Sequence, residues 1–549
     1  MKIIGFQSGH DVSYCVLENG IPILHEEYER FLRKKEPIGD GLKFYFDINS
    51  FSNSHGIDDD VDYFVYGNHG TRPRGNYDNR WTTPEYTEKM NKILDKKNKK
   101  LYIIGHHQSH AAGAFYSSNF DEALIITIDG MGNEKGEGAS EKWFDDCDTI
   151  SARDITTAFT VWEGKDTKIK RLKVFPVNEI TFGHLWDSTL KYFGMSNGYP
   201  YGSQAGTLMA MASIGDSTKW YDYCMSNFSM GKPNFNGVSN DEKNICDVAA
   251  GLQKATEDKF KEYITPFIEK YNPKNLCFSG GVSLNSVMLG KIYDWFPNVE
   301  NIHCDPIPYD GGLCLGSAYY LYHHILGNPR TKWDGSPSSS LGRRYDNNII
   351  KKTLDNYSEK IVVEKCDDDK IVDLLDEQNI ISVFGGGSES GRRALGNRSI
   401  LADPRSPDMK NMINDKVKHR QWFRPFAPSI IREEVKNWFD KDIDSPYMSF
   451  VLKWKEEVKD KVPAVVHLDG TARLQTVTEN YNKWYYNLIK KFGEKTGVPI
   501  LLNTSFNDRE PIVETPEHAI DCFLKTNIDY LYFYDIGLLT SKNKLGNNK

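Results

Sequence analysis

Two histidines, His106 and His110, and two aspartates, Asp129 and Asp310, are the residue types of a metal site. The histidines precede the apparently helical AAGAFYSS, and their spacing would place both rings on one helix face, where both could ligate one ion. Asp129 ends a predicted strand and Asp310 lies in a glycine turn before an apolar helix, where nucleotide-site carboxylates commonly project. Such a set suits Fe(II), Mn(II) or Zn(II) and could hold phosphate oxygens. Packed histidines and a helix-capping Asp310 are the structural alternatives.

Glycine turns follow the strand-like runs of the N-terminal half. Gly130 comes directly after ALIITID, and NLCFSGG ends at Gly280 and Gly281 before the helical-looking VSLNSVMLGKIYDWF. Backbone N–H groups in such turns can approach an anion. The chain also opens with two strand-like runs joined by Glu18-Asn19-Gly20, a strong hairpin signal. These patterns predict an α/β fold whose loops converge on a nucleotide.

Four stretches of the C-terminal half interleave cations with glycines and small hydroxyl residues, which suits the clamping of phosphates. They are ESGRRALGNRS from Glu389, KHRQWFRPFAP from Lys418, HLDGTAR from His467 and LNTSFN from Leu502. A charge-rich surface is the alternative for any one stretch. The polar run NPRTKWDGSPSSSLGRRYDNN precedes all four and predicts a linker. The expected domains are therefore 1–340 and 341–549.

Composition narrows the class of protein. A chain of 549 residues is too long for one ordinary core, and its net charge of −8 excludes a global basic field that would draw it onto nucleic acid. Nine cysteines, with no CxxC pair, favour reduced thiols over disulfides or a thiolate zinc site. The longest apolar runs are too short to span a bilayer. We expect a cytoplasmic protein without a membrane partner.

Three stretches of the N-terminal half resemble the NodU/CmcH-type carbamoyltransferase family in their residues and in their order along the chain. They are HHQSHAAGAFYSSNFDEALIITIDGMG, SGGVSLNSVM and PIPYDGGLCLGSA. The N-terminal domain of that family has the two-lobed, actin-like ASKHA fold, shared with the metal-dependent transferase of tRNA threonylcarbamoylation. The resemblance implies a divalent metal, Fe(II) first and Mn(II), Mg(II) or Zn(II) otherwise, on His106, His110, Asp129 and Asp310. It further implies that Gly280, Gly281 and Asn285 lie near the nucleotide.

The four C-terminal stretches together resemble the family's smaller α/β domain, which is similar to the YrdC-like synthase of threonylcarbamoyl adenylate. The resemblance implies that carbamoyl phosphate and ATP give carbamoyl adenylate in this domain. The first domain would then transfer the carbamoyl group to a hydroxyl and release AMP. The residues implied around carbamoyl phosphate and ATP are Lys418, Arg420, Arg473 and Ser505, with Arg393 and Arg398 nearby.

Gly9-His10-Asp11 also resembles a motif of the family. A neutral His10 could take the proton from an attacking hydroxyl. A hydrogen-bonded structural histidine is the alternative. Three positions depart from the common pattern: Thr207 replaces a lysine, Gly387 an arginine and Gln421 a glutamate. These departures leave details of the donor site open.

Several functions share these patterns. An ASKHA ATPase or kinase is disfavoured by the histidine pair and the second domain, and threonylcarbamoylation of nucleic acid differs in its product, a carbamoylated amine. The acceptor is open among antibiotics, sugars and lipochitooligosaccharides. Trp81 and Tyr86 could stack on a base, which makes a hydroxymethylated nucleotide conceivable, or they could be packing residues. The metal and the assembly, of which a homodimer is one option, are not fixed by the sequence.

Overall fold

The computed structural model describes residues 1–51, 60–67, 90, 92, 94, 99–133, 156–195, 204–229, 233–235, 238–331 and 339–543. The chain divides into two compact units, Met1–Trp333 and Asp334–Lys549. The division falls in the polar stretch where the sequence predicts a linker, slightly before the predicted boundary at 340/341. Trp81 and Tyr86 lie outside the described residues. No helix within the described ranges combines the length and apolar character that crossing a membrane requires.

The first unit begins with the predicted hairpin, which is confirmed. Asn19 and Gly20 have φ of 51° and 81°, the left-handed values that a tight two-residue hairpin turn requires. The hairpin belongs to a five-stranded sheet of order β3-β2-β1-β4-β5, antiparallel within β1 to β3 and parallel from β1 through β4 to β5. Its strands are β1 Lys2–Gln7, β2 Ser13–Glu18, β3 Ile21–Glu27, β4 Tyr63–Gly67 and β5 Lys100–Ile104.

A second five-stranded sheet repeats this plan. Its order is β10-β9-β6-β7-β8, with β6 antiparallel to β7 and parallel to β9. The two sheets therefore share strand order and direction, which is the duplicated topology of the predicted two-lobed ASKHA domain. The strands are β6 Glu122–Asn133, β7 Thr156–Lys165, β8 Lys168–Pro176, β9 Asn275–Ser279 and β10 Asn301–Cys304.

Helices cover these sheets, and their apolar faces bury the strands. Phe44 and Tyr45 of α2 pack on Tyr14 and Phe64 of the first sheet, and burial of each such ring contributes about 1.5–3 kcal/mol. The predicted helix after Gly281 is instead broken into a short 3-10 turn, Gly281–Leu284, and two short helices. The helices are α1 Tyr28–Leu32, α2 Gly41–Phe51, α3 His106–Ser117, α4 Phe182–Tyr192, α5 Ala205–Met211, α6 Tyr221–Met225, α7 Glu242–Tyr271, α8 Ser286–Gly290, α9 Ile292–Trp295 and α10 Leu313–Tyr319.

The second unit is a mixed nine-stranded sheet of order β11-β19-β18-β12-β13-β17-β14-β16-β15. Its strands are β11 Ile361–Lys365, β12 Ile381–Phe384, β13 Ser399–Ala402, β14 Ala427–Ile431, β15 Phe450–Lys453, β16 Thr471–Val477, β17 Ile500–Ser505, β18 Tyr530–Phe533 and β19 Leu538–Lys542. Its helices are α11 Asn347–Asn356, α12 Asp368–Asp376, α13 Met409–Ile413, α14 Val435–Trp438, α15 Lys483–Thr496 and α16 Pro516–Lys525. Helices α12 and α15 pack their apolar faces on this sheet. The predicted α/β fold is therefore confirmed in both units.

Candidate functional site

The predicted histidine helix is present as α3, and every one of its residues is buried. It begins at His106, where the Gln108 side chain accepts a hydrogen bond from the Gly105 N–H across 3.1 Å. The rings of His106 and His110 lie 4.8 Å apart, as four-residue spacing on a helix predicts. His107 faces elsewhere, because its ring nitrogens contact Thr127 Oγ1 at 2.6 Å and a backbone carbonyl of β7 at 3.1 Å.

Asp129 approaches this pair from a break in β6 rather than from a strand end. The prediction that the strand stops at Asp129 is wrong: β6 continues to Asn133, and its pairing with β7 shifts between Ile128 and Gly132. Such a bulge turns a side chain away from the regular pleat. A Cβ atom at Gly132 would lie 2.1 Å from the His106 ring, so the strand passes the ring only with glycine there.

Asp310 completes a compact set of two imidazoles and two carboxylates. One possible ligand atom from each of His106, His110, Asp129 and Asp310 lies within 4.8 Å of the others. Nε2 of His106 lies 3.1 Å from Asp129 Oδ2, and Nε2 of His110 lies 3.6 Å from Asp310 Oδ1. That His110 nitrogen is buried with no hydrogen-bond partner among the described residues. A nitrogen and oxygen set with an unsatisfied buried nitrogen fits a divalent cation.

The charges in this set are arranged for a cation. Burial and the charge of Asp310 both oppose ionisation of Asp129. The hydrogen bond and charge of His106, with the charge of His110, outweigh them and hold the pKa of Asp129 below its usual range. Asp129 is therefore ionised at neutral pH, the form in which a carboxylate binds metal.

Two of the residues expected near a nucleotide, Gly130 and Gly281, adjoin Asp129 of this set. The Gly281 N–H donates to Asp129 Oδ1 across 2.8 Å, which ties the loop after Gly280 to the bulge in β6. Gly130 follows Asp129, and its carbonyl accepts from Thr181 Oγ1 at the start of α4. Asn285 lies farther along the loop, where its side chain caps α8 at Met288.

His10 lies at the open side of the set. Its side chain is 46% exposed, with Nε2 3.5 Å from Asp310 Oδ2 and Nδ1 2.9 Å from Asp11 Oδ2. Crowding disfavours a charged ring, but the hydrogen bond to Asp11 and the nearby carboxylates raise the pKa of His10 to about 9. The ring is therefore protonated at neutral pH unless the charge of these carboxylates is offset.

In the second unit, sheet register brings separate basic residues to one end of adjacent strands. Ala427 of β14 pairs with Asn503 of β17, and Ser429 pairs with Gln475 of β16. Arg473 lies two residues before Gln475 on β16, and Ser505 lies two residues after Asn503 at the end of β17. The sequence segments around them are remote from one another, and the parallel and antiparallel pairings bring them together.

Three arginines at this end form no ion pair among the described residues: Arg420, Arg424 and Arg473. Burial, and then the charges of Arg393, Arg420 and Arg424, lower the pKa of Arg473 well below its usual range. Its Nε has no hydrogen-bond partner within the described chain. Burial and Arg424 likewise lower the pKa of Arg420. Like charges that form no ion pair within the described part of the chain create a site that an anion would stabilise.

Lys418 and Ser505, expected in the same site, are in contact. The Lys418 ammonium lies 2.6 Å from the Ser505 carbonyl, 3.2 Å from its hydroxyl and 2.9 Å from the Asn507 carbonyl. The lysine thus anchors the loop after β17. Arg398 is fully buried, stacks 3.7 Å from the centre of the Phe384 ring and donates to the Gly385 carbonyl. Arg398 serves the fold here, and its place near a ligand stays a prediction.

Comparisons with known proteins find matches in both the N-terminal and the C-terminal part of the chain. A family described as carbamoyltransferase N-terminus matches residues 82–319, and one described as carbamoyltransferase C-terminus matches 372–539. The nodulation protein NolO of Bradyrhizobium diazoefficiens is 31% identical over 78% of this chain and 77% of its own length. The chain belongs to the carbamoyltransferase family. The uncharacterized protein sll1178 of Synechocystis sp. is 30% identical to this carbamoyltransferase over 95% of the chain and 94% of its own length.

The resemblance to the carbamoyltransferase family is thereby confirmed, and the protein is a carbamoyltransferase enzyme. Among solved structures, HypF from T. kodakarensis is similar with a TM-score of 0.36 and 14% identity, covering 60% of this chain and 48% of HypF. The ASKHA assignment of this carbamoyltransferase stands on the repeated strand order of its two sheets.

The three departures of this carbamoyltransferase lie at different depths. Thr207 is buried in α5, and Gln421 is exposed. A Cβ at Gly387 would lie 2.6 Å from the Ser340 carbonyl oxygen, so this backbone accepts no side chain at position 387 without a shift.

Three further residues of this carbamoyltransferase lie in or near the Arg420, Arg424 and Arg473 group or its loops and carry no role in the sequence prediction. The charge of Arg424 acts on both Arg420 and Arg473 and lowers their pKa, and Asn507 shares the Lys418 ammonium with Ser505. His467 faces Arg473 and Lys410, and burial with those charges lowers its pKa although Asp469 acts the opposite way. All three stand in the stretches that signalled the domain. Only the tertiary structure distinguishes them from their neighbours.

Proposed function

We propose that this enzyme is an ATP-dependent O-carbamoyltransferase that works in two steps. In the second unit, water cleaves carbamoyl phosphate into carbamate and phosphate, and carbamate and ATP then give carbamoyl adenylate and pyrophosphate. A carbamate oxygen bonds to the α-phosphorus of ATP, and the bond from that phosphorus to pyrophosphate breaks. In the first unit, an acceptor hydroxyl bonds to the carbamoyl carbon, AMP leaves, and the hydroxyl proton is taken up by a base.

The observation that carries the donor step is the group of Arg420, Arg424 and Arg473, which has no ion-pair partner among the described residues. Holding such charges together costs stability, and binding of a polyphosphate would offset that cost. Donors placed beforehand around the phosphates also stabilise the charge that develops as pyrophosphate leaves. Arg393 and the Lys418–Ser505 contact would complete this donor site.

For the transfer step we assign the metal ligands to His106, His110, Asp129 and Asp310. A divalent cation, for which Fe(II), Mn(II), Mg(II) and Zn(II) are the candidates, would supply Lewis-acid polarisation of the carbonyl and hold phosphate oxygens. The Gly130 and Gly281 loops would orient the nucleotide. His10 would accept the hydroxyl proton at Nε2, which requires that the charge on Asp310 be offset so that the ring is neutral.

The acceptor class that we propose is a small molecule, sugar or nucleotide that carries a hydroxyl group. The product distinguishes this function from its relatives, because O-carbamoylation gives a carbamate ester and AMP. A kinase would give ADP, and threonylcarbamoylation would give a modified amine.

We predict that the purified full chain releases pyrophosphate from ATP only when carbamoyl phosphate is present. The physical reason is that carbamoyl phosphate supplies the carbamate that attacks the α-phosphorus. Coupled colorimetric detection with and without carbamoyl phosphate checks this, and acetyl phosphate serves as a matched phosphate control. Release of ADP in place of pyrophosphate would contradict the proposal and favour a kinase.

We also predict that Mn²⁺ raises the melting temperature of the first unit by several degrees. A ligand at 100 times its dissociation constant stabilises the folded state by about 2.7 kcal/mol. The Asp129→Asn variant, which loses one carboxylate of the set, should show a smaller shift at the same concentration. Equal shifts in wild type and variant would place the bound Mn²⁺ elsewhere.

A further inference from the structure

The second nitrogen of the His110 ring has a buried polar partner. Nδ1 lies 3.2 Å from Oγ of Ser279, the last residue of β9, and both side chains are buried. The other nitrogen, Nε2, lies 3.6 Å from Asp310 Oδ1. A histidine that ligates through Nε2 must carry its proton on Nδ1, so an acceptor at Nδ1 decides whether the ring can bind.

Ser279 can serve as that acceptor only if its own proton points away from the ring. Two oxygens lie 3.4 Å from its Oγ, Asp305 Oδ2 and the Pro308 carbonyl. An ionised carboxylate attracts the hydroxyl proton more strongly than a neutral carbonyl. With the proton directed to Asp305, a lone pair of Ser279 faces His110 and accepts its Nδ1–H.

Asp305 itself is placed for this use. It is buried, its Oδ1 accepts from the Ile307 N–H across 2.9 Å, and it forms no ion pair with lysine or arginine among the described residues. A Cβ at Gly113, one turn beyond His110 on α3, would lie 2.6 Å from Asp305 Oδ2, so the helix leaves room for this oxygen. A buried carboxylate is costly, and an asparagine would cap the turn at Ile307 equally well.

We propose that Asp305 is a positioning residue that acts through Ser279 to hold His110 with the Nε2 lone pair directed at the metal set. The three groups form a relay from the Asp305 carboxylate through the Ser279 hydroxyl to the His110 ring. The relay rests on the proposed metal site, and it adds two residues that bind no metal themselves.

The test is calorimetric titration of the full chain with Mn²⁺, compared for wild type, Asp305→Asn and Ser279→Ala. Asparagine keeps the Ile307 contact but removes the charge that orients Ser279, and alanine removes the acceptor. Each change should weaken Mn²⁺ binding by about 10- to 100-fold, the usual effect of residues that support a ligand. The matched control is Ser283→Ala: this buried hydroxyl donates 2.9 Å to the Ser279 carbonyl and does not reach the ring, so binding should stay within about twofold.

Melting temperatures measured in EDTA accompany the titrations. Weaker binding by Asp305→Asn at an unchanged melting temperature supports the relay, because a turn-capping role alone would leave both unaltered. If Asp305→Asn binds Mn²⁺ as tightly as the wild type does, the relay is overturned and the proposed metal site is not. Absence of Mn²⁺ binding by the wild type would overturn the metal site and the relay together. Equal losses in Ser283→Ala and Ser279→Ala would also overturn the relay, since they would indicate general loosening of the loop.

Discussion

Substitution of His110 by alanine is expected to lower carbamoyl transfer by on the order of a thousandfold, or ~4 kcal/mol of transition-state stabilisation. Pyrophosphate release dependent on carbamoyl phosphate should continue, because the proposed donor site lies in the other unit. The physical reason is the buried Nε2 of His110, which has no hydrogen-bond partner among the described residues and lies 3.6 Å from Asp310 Oδ1, where it would ligate the proposed metal. Mass analysis of the acceptor measures the loss of transfer, and a pyrophosphate assay on the same sample measures the retained donor activation.

His107 provides the matched control on the same helix. Its ring is buried but contacts Thr127 and a β7 carbonyl, so His107→Ala should cost roughly 1–3 kcal/mol of folding stability. It should retain Mn²⁺ binding and measurable transfer at temperatures well below its melting point. Full transfer by His110→Ala would refute the metal assignment, whatever His107→Ala does.

Substitution of Arg473 by glutamine is expected to lower pyrophosphate release by about 10²- to 10³-fold, the usual loss when a preorganised charge donor is removed. Glutamine keeps much of the stem and removes the charge. Because the charges of Arg393, Arg420 and Arg424 act against Arg473, the ligand-free variant should also be more stable by roughly 1 kcal/mol, or about 2–4 °C for a domain of this size. Initial rates and thermal unfolding test these opposite changes.

Arg405 is the control for this second prediction. It lies in the same unit but pairs with Asp376 across 2.6 Å and also with Asp403, so its charge is compensated. Arg405→Gln should therefore lower the melting temperature and leave pyrophosphate release nearly unchanged. A normal rate in Arg473→Gln, or an equal loss in Arg405→Gln, would argue against a specific anion site.

The sequence predicted what local spacing determines. Four-residue spacing placed His106 and His110 on one helix face, and the Asn19-Gly20 pair specified the hairpin, since both depend on backbone geometry within a few residues. The bulge at Asp129 was missed because it depends on how β6 pairs with β7, a strand more than twenty residues away. The strand was therefore expected to end where it only changes register.

Side-chain roles that depend on distant partners were equally hidden. Arg398 and Arg473 both occur in basic stretches beside glycine, yet one is used by the fold at Phe384 and the other lies among like charges. No local sequence pattern marks Asp305, because Ser279 is remote in sequence and meets it only through the pairing of β9 with β10. Tertiary pairing, rather than local propensity, separates these cases.

Detection of carbamoyl adenylate itself would test the proposed two-step mechanism most directly. His110→Ala protein would be incubated with ATP and carbon-13-labelled carbamoyl phosphate, quenched, and analysed by mass spectrometry. We expect a labelled carbamoyl adenylate that accumulates in this variant because its transfer step is blocked, together with stoichiometric pyrophosphate. Absence of the labelled adenylate while wild-type enzyme carbamoylates an acceptor would contradict the two-step mechanism.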